Sequence, residues 1–184
     1  MTRNLTSVTL LLALALAVAS SALAAETPRV GVKAPDFSLT DEDGDTHELA
    51  AYRGKTVVLE WTNPGCPYVK RHYRADTMEK LATRYQSEVV WLAVNSTWSN
   101  KPEDSRAWKQ EQGFEYATLQ DADGAVGQLY GATTTPDMFV VDPEGVLRYA
   151  GAIDDDPRGR NDEPDNYVDR ALTALMTDGA PDPS

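Results

Sequence analysis

The stretch Val57-Val58-Leu59-Glu60-Trp61-Thr62-Asn63-Pro64-Gly65-Cys66-Pro67-Tyr68-Val69-Lys70 decides how the chain folds. Its apolar, β-branched beginning predicts a buried strand. Asn63-Pro64-Gly65 ends that strand in a turn. The only cysteine of the 184 residues comes next. Pro67 suits the first position of a helix, where its missing N–H costs nothing. A helical pattern then runs to Arg84, with Val69, Tyr73, Met78, Leu81 and Tyr85 at roughly helical spacing. Cys66 is therefore expected at the helix N-cap, facing free N–H groups and the positive end of the helix dipole. That setting favours thiolate over thiol. The alternative is a buried cysteine that acts as a small hydrophobe.

Outward from this stretch the pattern alternates. A short strand is expected around 37–39, then an Asp43-Gly44 turn and a returning strand over 46–49. After the helix come a strand over 89–94, a polar loop over 95–100 and a helix over 102–113. A strand over 116–119 and a short helix over 121–130 follow, and then a loop over 131–135. The strands 138–141 and 146–150 read as a hairpin around Pro143-Glu144-Gly145. Residues 154–165 read as a charged surface loop, 167–176 as an amphipathic helix and 178–184 as a polar tail. Such alternation implies an α/β fold with a mainly parallel sheet and an antiparallel hairpin at its edge. Cys66, Asn95 and Pro136 would then meet on loops at one end of that sheet, where open α/β folds place their sites.

Residues 1–24 do not belong to this pattern. Arg3, the apolar run over 8–18 and Ala22-Leu23-Ala24 form a secretory signal peptide pattern, too short to span a bilayer. The expected division is a signal peptide over 1–24 and one domain over 25–184, with its core over 30–176. The location expected is exported, periplasmic or secreted, with no membrane attachment after cleavage. Net charge is -12, and cleavage removes one base and no acid. That balance argues against nucleic acid or anionic lipid as a partner. A single cysteine cannot form an internal disulfide, so any redox chemistry involves a thiol from outside the chain.

Three segments resemble the thioredoxin-fold redoxins of the alkyl hydroperoxide reductase and thiol-specific antioxidant family. They are Gly31 to Leu39, built on Ala34-Pro35-Asp36-Phe37; Trp61 to Val69; and Gly131 to Asp142, which contains Thr135-Pro136. The resemblance covers residues 30–176 and is nearest to a peroxiredoxin-like subgroup with Cys-Pro-aromatic-Val followed by Lys-Arg-His-Tyr. It implies a thioredoxin-like fold, a mixed central sheet flanked by helices, and a cis proline at Pro136 facing the cysteine. The departures are specific. Val69 stands where thioredoxins carry their second cysteine, and Asn63 where peroxiredoxins carry threonine, with Thr62 one residue further back. Peroxiredoxins also lack a proline at the position of Pro136 and have an arginine close by. Relatives in the subgroup carry a further cysteine in a C-terminal extension, which is not present before Ser184.

The candidate site follows from these segments. Cys66 is the expected nucleophile. Glu60, at the offset of the buried acid in thioredoxins, is either a proton relay to the sulfur or a structural acid paired with Lys55 or another base. Thr62, Asn63, Pro67, Thr135 and Pro136 are expected to bind substrate, and Asn95 and Ser96 can donate hydrogen bonds near the sulfur. Lys70, one turn on, either stabilises the thiolate or is exposed to solvent. Arg71 and His72 are directed elsewhere. Trp61 and Trp98 are read as core, and Asp154-Asp155-Asp156 as a solvated acidic loop. No ligand spacing joins His47, His72 and Cys66, so neither metal nor cofactor is expected.

The resemblance implies an exported thiol-dependent oxidoreductase, a one-cysteine peroxidase-like redoxin. It would reduce a peroxide or a disulfide through Cys66, with an external thiol or thioredoxin-like reductant as partner. The alternative is a thioredoxin-fold binding module that holds partners on the Pro136 loop and has a silent cysteine.

Overall fold

The computed structural model describes residues 28–177. The expected signal peptide and the polar tail from 178 lie outside these residues. Strand β3, Thr56–Trp61, is buried at every position, as a strand covered on both faces must be. It pairs parallel with β4, Val89–Asn95, and antiparallel with β6, Asp137–Val141. Beyond β4 lies β5, Ala117–Gln120, again parallel. The hairpin of β1, Ser38–Thr40, and β2, Thr46–Glu48, closes that side. Beyond β6 lies β7, Leu147–Gly151. The sheet order is β2-β1-β5-β4-β3-β6-β7.

The sheet is mixed rather than mainly parallel. Only β3, β4 and β5 run parallel, because the β1–β2 hairpin joins β5 antiparallel on one side and β6–β7 joins β3 on the other.

Alternation along β3 sorts its side chains between two cores. Val57, Leu59 and Trp61 face α4, Ala125–Tyr130, and the 34–49 segment, with Leu119, Tyr130 and Phe139. Val58 and Glu60 face the other side. There Val69 and Tyr73 of α1, Pro67–Arg74, pack with Met78 and Leu81 of α2, Thr77–Arg84. Trp108 of α3, Pro102–Gln112, and Val168 and Leu172 of α5, Tyr167–Met176, complete that layer.

The single helix expected over 67–84 is two helices. Ala75 and Asp76 break it, with Asp76 in the left-handed region at φ 54°. Aspartate tolerates that conformation better than most residues, and the new axis lets Met78 and Leu81 bury fully.

Candidate functional site

Local chemistry places the cysteine. Thr62 N–H still bonds to Val94 O at 2.9 Å, one residue past β3. The turn then closes as Asn63 Oδ1 accepts Gly65 N–H at 2.7 Å and Asn63 O accepts Cys66 N–H at 2.9 Å. A Cβ on residue 65 would meet Asn63 Oδ1 at 3.0 Å, so glycine keeps this turn tight. Cys66 is the N-cap of α1 and Pro67 its first residue.

The Cys66 thiol is half-buried and free. Its Sγ lies 3.1 Å from the carbonyl oxygen of Thr135, whose bond to Pro136 is cis. Thus segments 69 residues apart in sequence meet at one sulfur. Burial pushes the thiol pKa up, but the Thr135 side chain and the Val69 and Tyr68 N–H groups outweigh it and leave it below the ordinary value. These N–H groups act through proximity, since Sγ makes no N-cap hydrogen bond of normal geometry. The thiol–carbonyl bond works the other way, because it favours the protonated form.

Glu60 is completely buried and makes no ion pair among the described residues, so the pairing with Lys55 does not form. Its carboxylate accepts from Tyr73 at 2.9 Å, from Trp91 Nε1 at 2.9 Å and from Tyr116 at 3.4 Å. Burial raises its pKa to about 7, against the lowering effect of these donors. The Thr62 hydroxyl also acts on this carboxyl, but it is buried without a hydrogen bond of normal geometry. Asn95 Nδ2, at the end of neighbouring β4, is a second such buried donor. No direct Glu60–Cys66 hydrogen bond forms.

Sequence reasoning missed Tyr73, Trp91 and Tyr116. Tyr73 had a signal, since it lies two helical turns after Cys66 on the same face. The other two arrive from distant segments, Trp91 on β4 and Tyr116 just before β5. Asp137, directly after the cis proline, was also missed; burial raises its pKa to about 6, opposed by the Thr133 and Met138 N–H groups.

Other expected residues go elsewhere. Ser96 donates to Asp121 Oδ2 at 2.6 Å and accepts from Trp61 Nε1 at 3.0 Å, so its hydroxyl is committed within a structural network. Lys70 is half-buried and makes no ion pair among the described residues. His47, on the edge strand β2 with three strands between it and β3, bonds to Asp41 and Tyr52. Trp61 is core as expected, but Trp98 is 84 % exposed. It sits in the Thr97–Asn100 turn, beyond the sheet's end, where no layer covers it.

The acidic loop is also not simply solvated. Asp154 and Asp156 are buried. Arg71 Nη2 donates to both Asp154 oxygens at 3.2 and 3.3 Å and to His72 Nε2 at 2.9 Å. Asp156 Oδ2 accepts Asn161 N–H at 2.8 Å. Gly159, at φ +64°, lets the loop lie on Arg71, whose Cδ stands 2.9 Å from where a Cβ would be. Burial and the Arg71 charge lower the His72 pKa to about 4, although Asp154 and Asp156 oppose them. Replacing Arg71 by alanine should cost about 2 kcal/mol in urea unfolding. That is less than the roughly 3–5 of a wholly buried pair, because Arg71 is partly exposed. A loss under about 0.5 kcal/mol would mean that solvent already screens the pair.

Two cavities share Thr134 and Thr135, and the Thr135 carbonyl faces Sγ. One, about 200 Å³, lies between Tyr68, His72, Pro136, Ile153 and Asp154. The other, about 420 Å³, is a polar cleft bounded by Thr62, Asn63, Ser96, Thr97 and Gln128.

The family model described as AhpC/TSA family matches residues 30–150. A Mycobacterium tuberculosis (strain H37Rv) protein provisionally named a peroxiredoxin is 31% identical over 130 residues, covering 68% of this chain and 78% of that protein. Thiol-disulfide oxidoreductase ResA of Geobacillus thermodenitrificans is 31% identical over 121 residues, covering 65% and 67%. A Chlorobium tepidum crystal structure provisionally named thiol:disulfide interchange protein DsbE superposes with a TM-score of 0.64. It is 21% identical and covers 83% of this chain and 98% of that one, a likeness that concerns the fold alone. That fold is thioredoxin-like.

Proposed function

The chain belongs to the AhpC/TSA family, and from that premise we propose that it is an exported thiol-dependent oxidoreductase, a one-cysteine peroxidase-like redoxin. One observation carries this reading: the only cysteine caps a helix beside the Thr135–Pro136 cis turn with its pKa below the ordinary value. The Cys66 thiolate attacks a peroxide oxygen, the O–O bond breaks, and alcohol or water leaves. An external thiol then attacks the resulting sulfenic acid, forming an S–S bond and releasing water. A second thiol attacks the external sulfur of that mixed disulfide, so the free disulfide forms and Cys66 leaves as thiolate. A disulfide substrate enters at the mixed-disulfide stage with loss of a thiolate. Thr62, Asn63, Pro67, Thr135 and Pro136 form the substrate surface, Lys70 adds positive charge one turn along, and Glu60 buffers protons behind the site. The test is turnover of peroxide with small thiols or a thioredoxin-like reductant, compared between native and Cys66→Ser protein.

A second reading, a binding module with a silent cysteine, is favoured by the thiol–carbonyl bond to Thr135, which holds the neutral form. A thiol pKa at or above about 8.5 supports it, and a value clearly below supports catalysis.

Export is supported by the sequence of residues 1–24, and no helix of the described residues is long and apolar enough to cross a membrane. Expressed with its full N-terminus in a bacterium, the protein should appear in the periplasmic or culture fraction beginning near Ala25. Full-length protein retained in the cytoplasm would contradict this.

A further inference from the structure

The cavity on the Ile153 side of Cys66 has walls whose charged groups are spent on one another. An arginine only donates hydrogen bonds, so His72 Nε2 accepts from Arg71 Nη2 at 2.9 Å. The imidazole is therefore neutral, with its proton on Nδ1. That nitrogen is buried without a hydrogen-bond partner, 3.8 Å from Asp154 Oδ2. Asp154 is compensated as well, since both its oxygens face Arg71 and Oδ1 also accepts Asp156 N–H at 3.1 Å. The rest of the wall is largely apolar, from the Tyr68 ring, Pro136, Ala152 and Ile153. Arg71 and Asp154 neutralise one another and His72 is neutral, so no unbalanced charge is left to pair with a charged ligand. The unpartnered His72 Nδ1–H lies beside the Asp154 carboxylate, which disfavours an anion there, and an unpaired charge is costly to bury. Thr135 joins this cavity to the sulfur, because it lines the cavity and its carbonyl stands 3.1 Å from Sγ.

We propose that this cavity is a subsite for the external thiol that resolves Cys66, and that it selects thiols bearing a neutral, apolar substituent over charged ones. The proposal rests on the reading of Cys66 given above. As the thiol RSH attacks the Cys66 sulfenic acid, the S–S bond forms, the S–O bond breaks and water leaves with the proton. The R group then lies against Pro136 and Ile153. A second RSH attacks this mixed disulfide, RSSR leaves, and Cys66 is reduced.

Binding is measured first with sulfur-free probes on Cys66→Ser protein, so that it does not depend on reactivity. 2-Phenylethanol should give saturable shifts of the Tyr68, Ala152 and Ile153 amide resonances at millimolar concentration. Phenylacetate, of similar size but charged, should bind at least tenfold more weakly. Ala152→Phe fills the mouth of the cavity from an exposed position and should weaken 2-phenylethanol at least tenfold; Pro157→Trp narrows it from another exposed position and serves if the first variant folds poorly. Native protein is then oxidised with one equivalent of hydrogen peroxide, and capture of the sulfenic acid is followed by intact mass. At equal thiolate concentration, 2-phenylethanethiol should react at least tenfold faster than 3-mercaptopropionate, and Ala152→Phe should erase the preference. Absent shifts, equal binding of the charged probe or an unchanged preference in the filled variants would overturn the subsite. A Cys66 that reacts with both thiols alike leaves the proposed function standing and removes only this inference. A Cys66 that reacts with neither, beside normal probe binding, removes the proposed function and with it the cavity's role as a thiol subsite.

Discussion

Cys66→Ser protein should lose roughly 10³-fold or more of its thiol-dependent peroxide turnover, while remaining folded. The expected size follows from the site. Serine keeps the shape and still donates to the Thr135 carbonyl, which the native thiol does at 3.1 Å. A hydroxyl does not ionise near neutrality, so the helix N-terminus and the Tyr68 and Val69 N–H groups have no anion to hold. The chain has no other cysteine to take over. Stopped-flow or coupled assays with a small thiol measure the loss, and circular dichroism confirms the fold. Turnover equal to that of native protein would place the chemistry elsewhere in the chain. A loss confined to peroxide, with disulfide exchange retained, would also contradict a mechanism routed through one sulfur.

The second large effect concerns stability and acidity. Glu60 has its pKa raised to about 7 from 4.5, chiefly by burial. The folded state therefore binds the proton more tightly than the unfolded chain between those two values. Stability that the protonated acid contributes is fully present below about 4.5 and is lost as pH rises to about 7. The loss should approach 3 kcal/mol, at about 1.4 kcal/mol per pKa unit. Above pH 7 this group adds no further slope. Urea unfolding of native and Glu60→Gln protein at pH 5 and pH 8 isolates this contribution, because the slopes from Asp137 and His72 are common to both proteins. The same variant meets the Tyr73, Trp91 and Tyr116 donors with an amide in place of a carboxylate. One donor then faces an N–H₂ group, which costs about 1–3 kcal/mol at all pH values. An unchanged pH slope in Glu60→Gln would show that other groups carry it.

What could be read from the sequence was what neighbours in the chain determine. The buried strand, the Asn63–Gly65 turn, Pro67 at the first helical position and Cys66 at the N-cap are all local, and all appear in the structure. The cis bond before Pro136 came from the resemblance rather than from the residues themselves, since cis is a minority state even before proline. What escaped depends on distant partners. Burial of Glu60 was anticipated, but its donors come from positions 13, 31 and 56 residues away, on α1, on β4 and just before β5. Asp154 looks solvated in a run of three acids until Arg71, 83 residues earlier, is folded against it. Trp98 failed the opposite way, because tryptophan favours burial and only the sheet's end leaves it uncovered. The helix break at Asp76 was hidden by a continuous apolar period, which fixes the buried face but not the axis.

The central claim is that Cys66 is an activated thiol that depends on a thiol from outside the chain. Intact mass after brief treatment with one equivalent of hydrogen peroxide, followed by a small thiol, tests it most directly. The account predicts the mass of one added oxygen on native protein but not on Cys66→Ser, then a mixed disulfide, then return to the reduced mass. At low salt, covalent dimer should remain the minor product, since two positive helix ends and two acidic surfaces would have to meet. Native protein whose mass does not change while a free thiol in the same tube is oxidised would contradict the account.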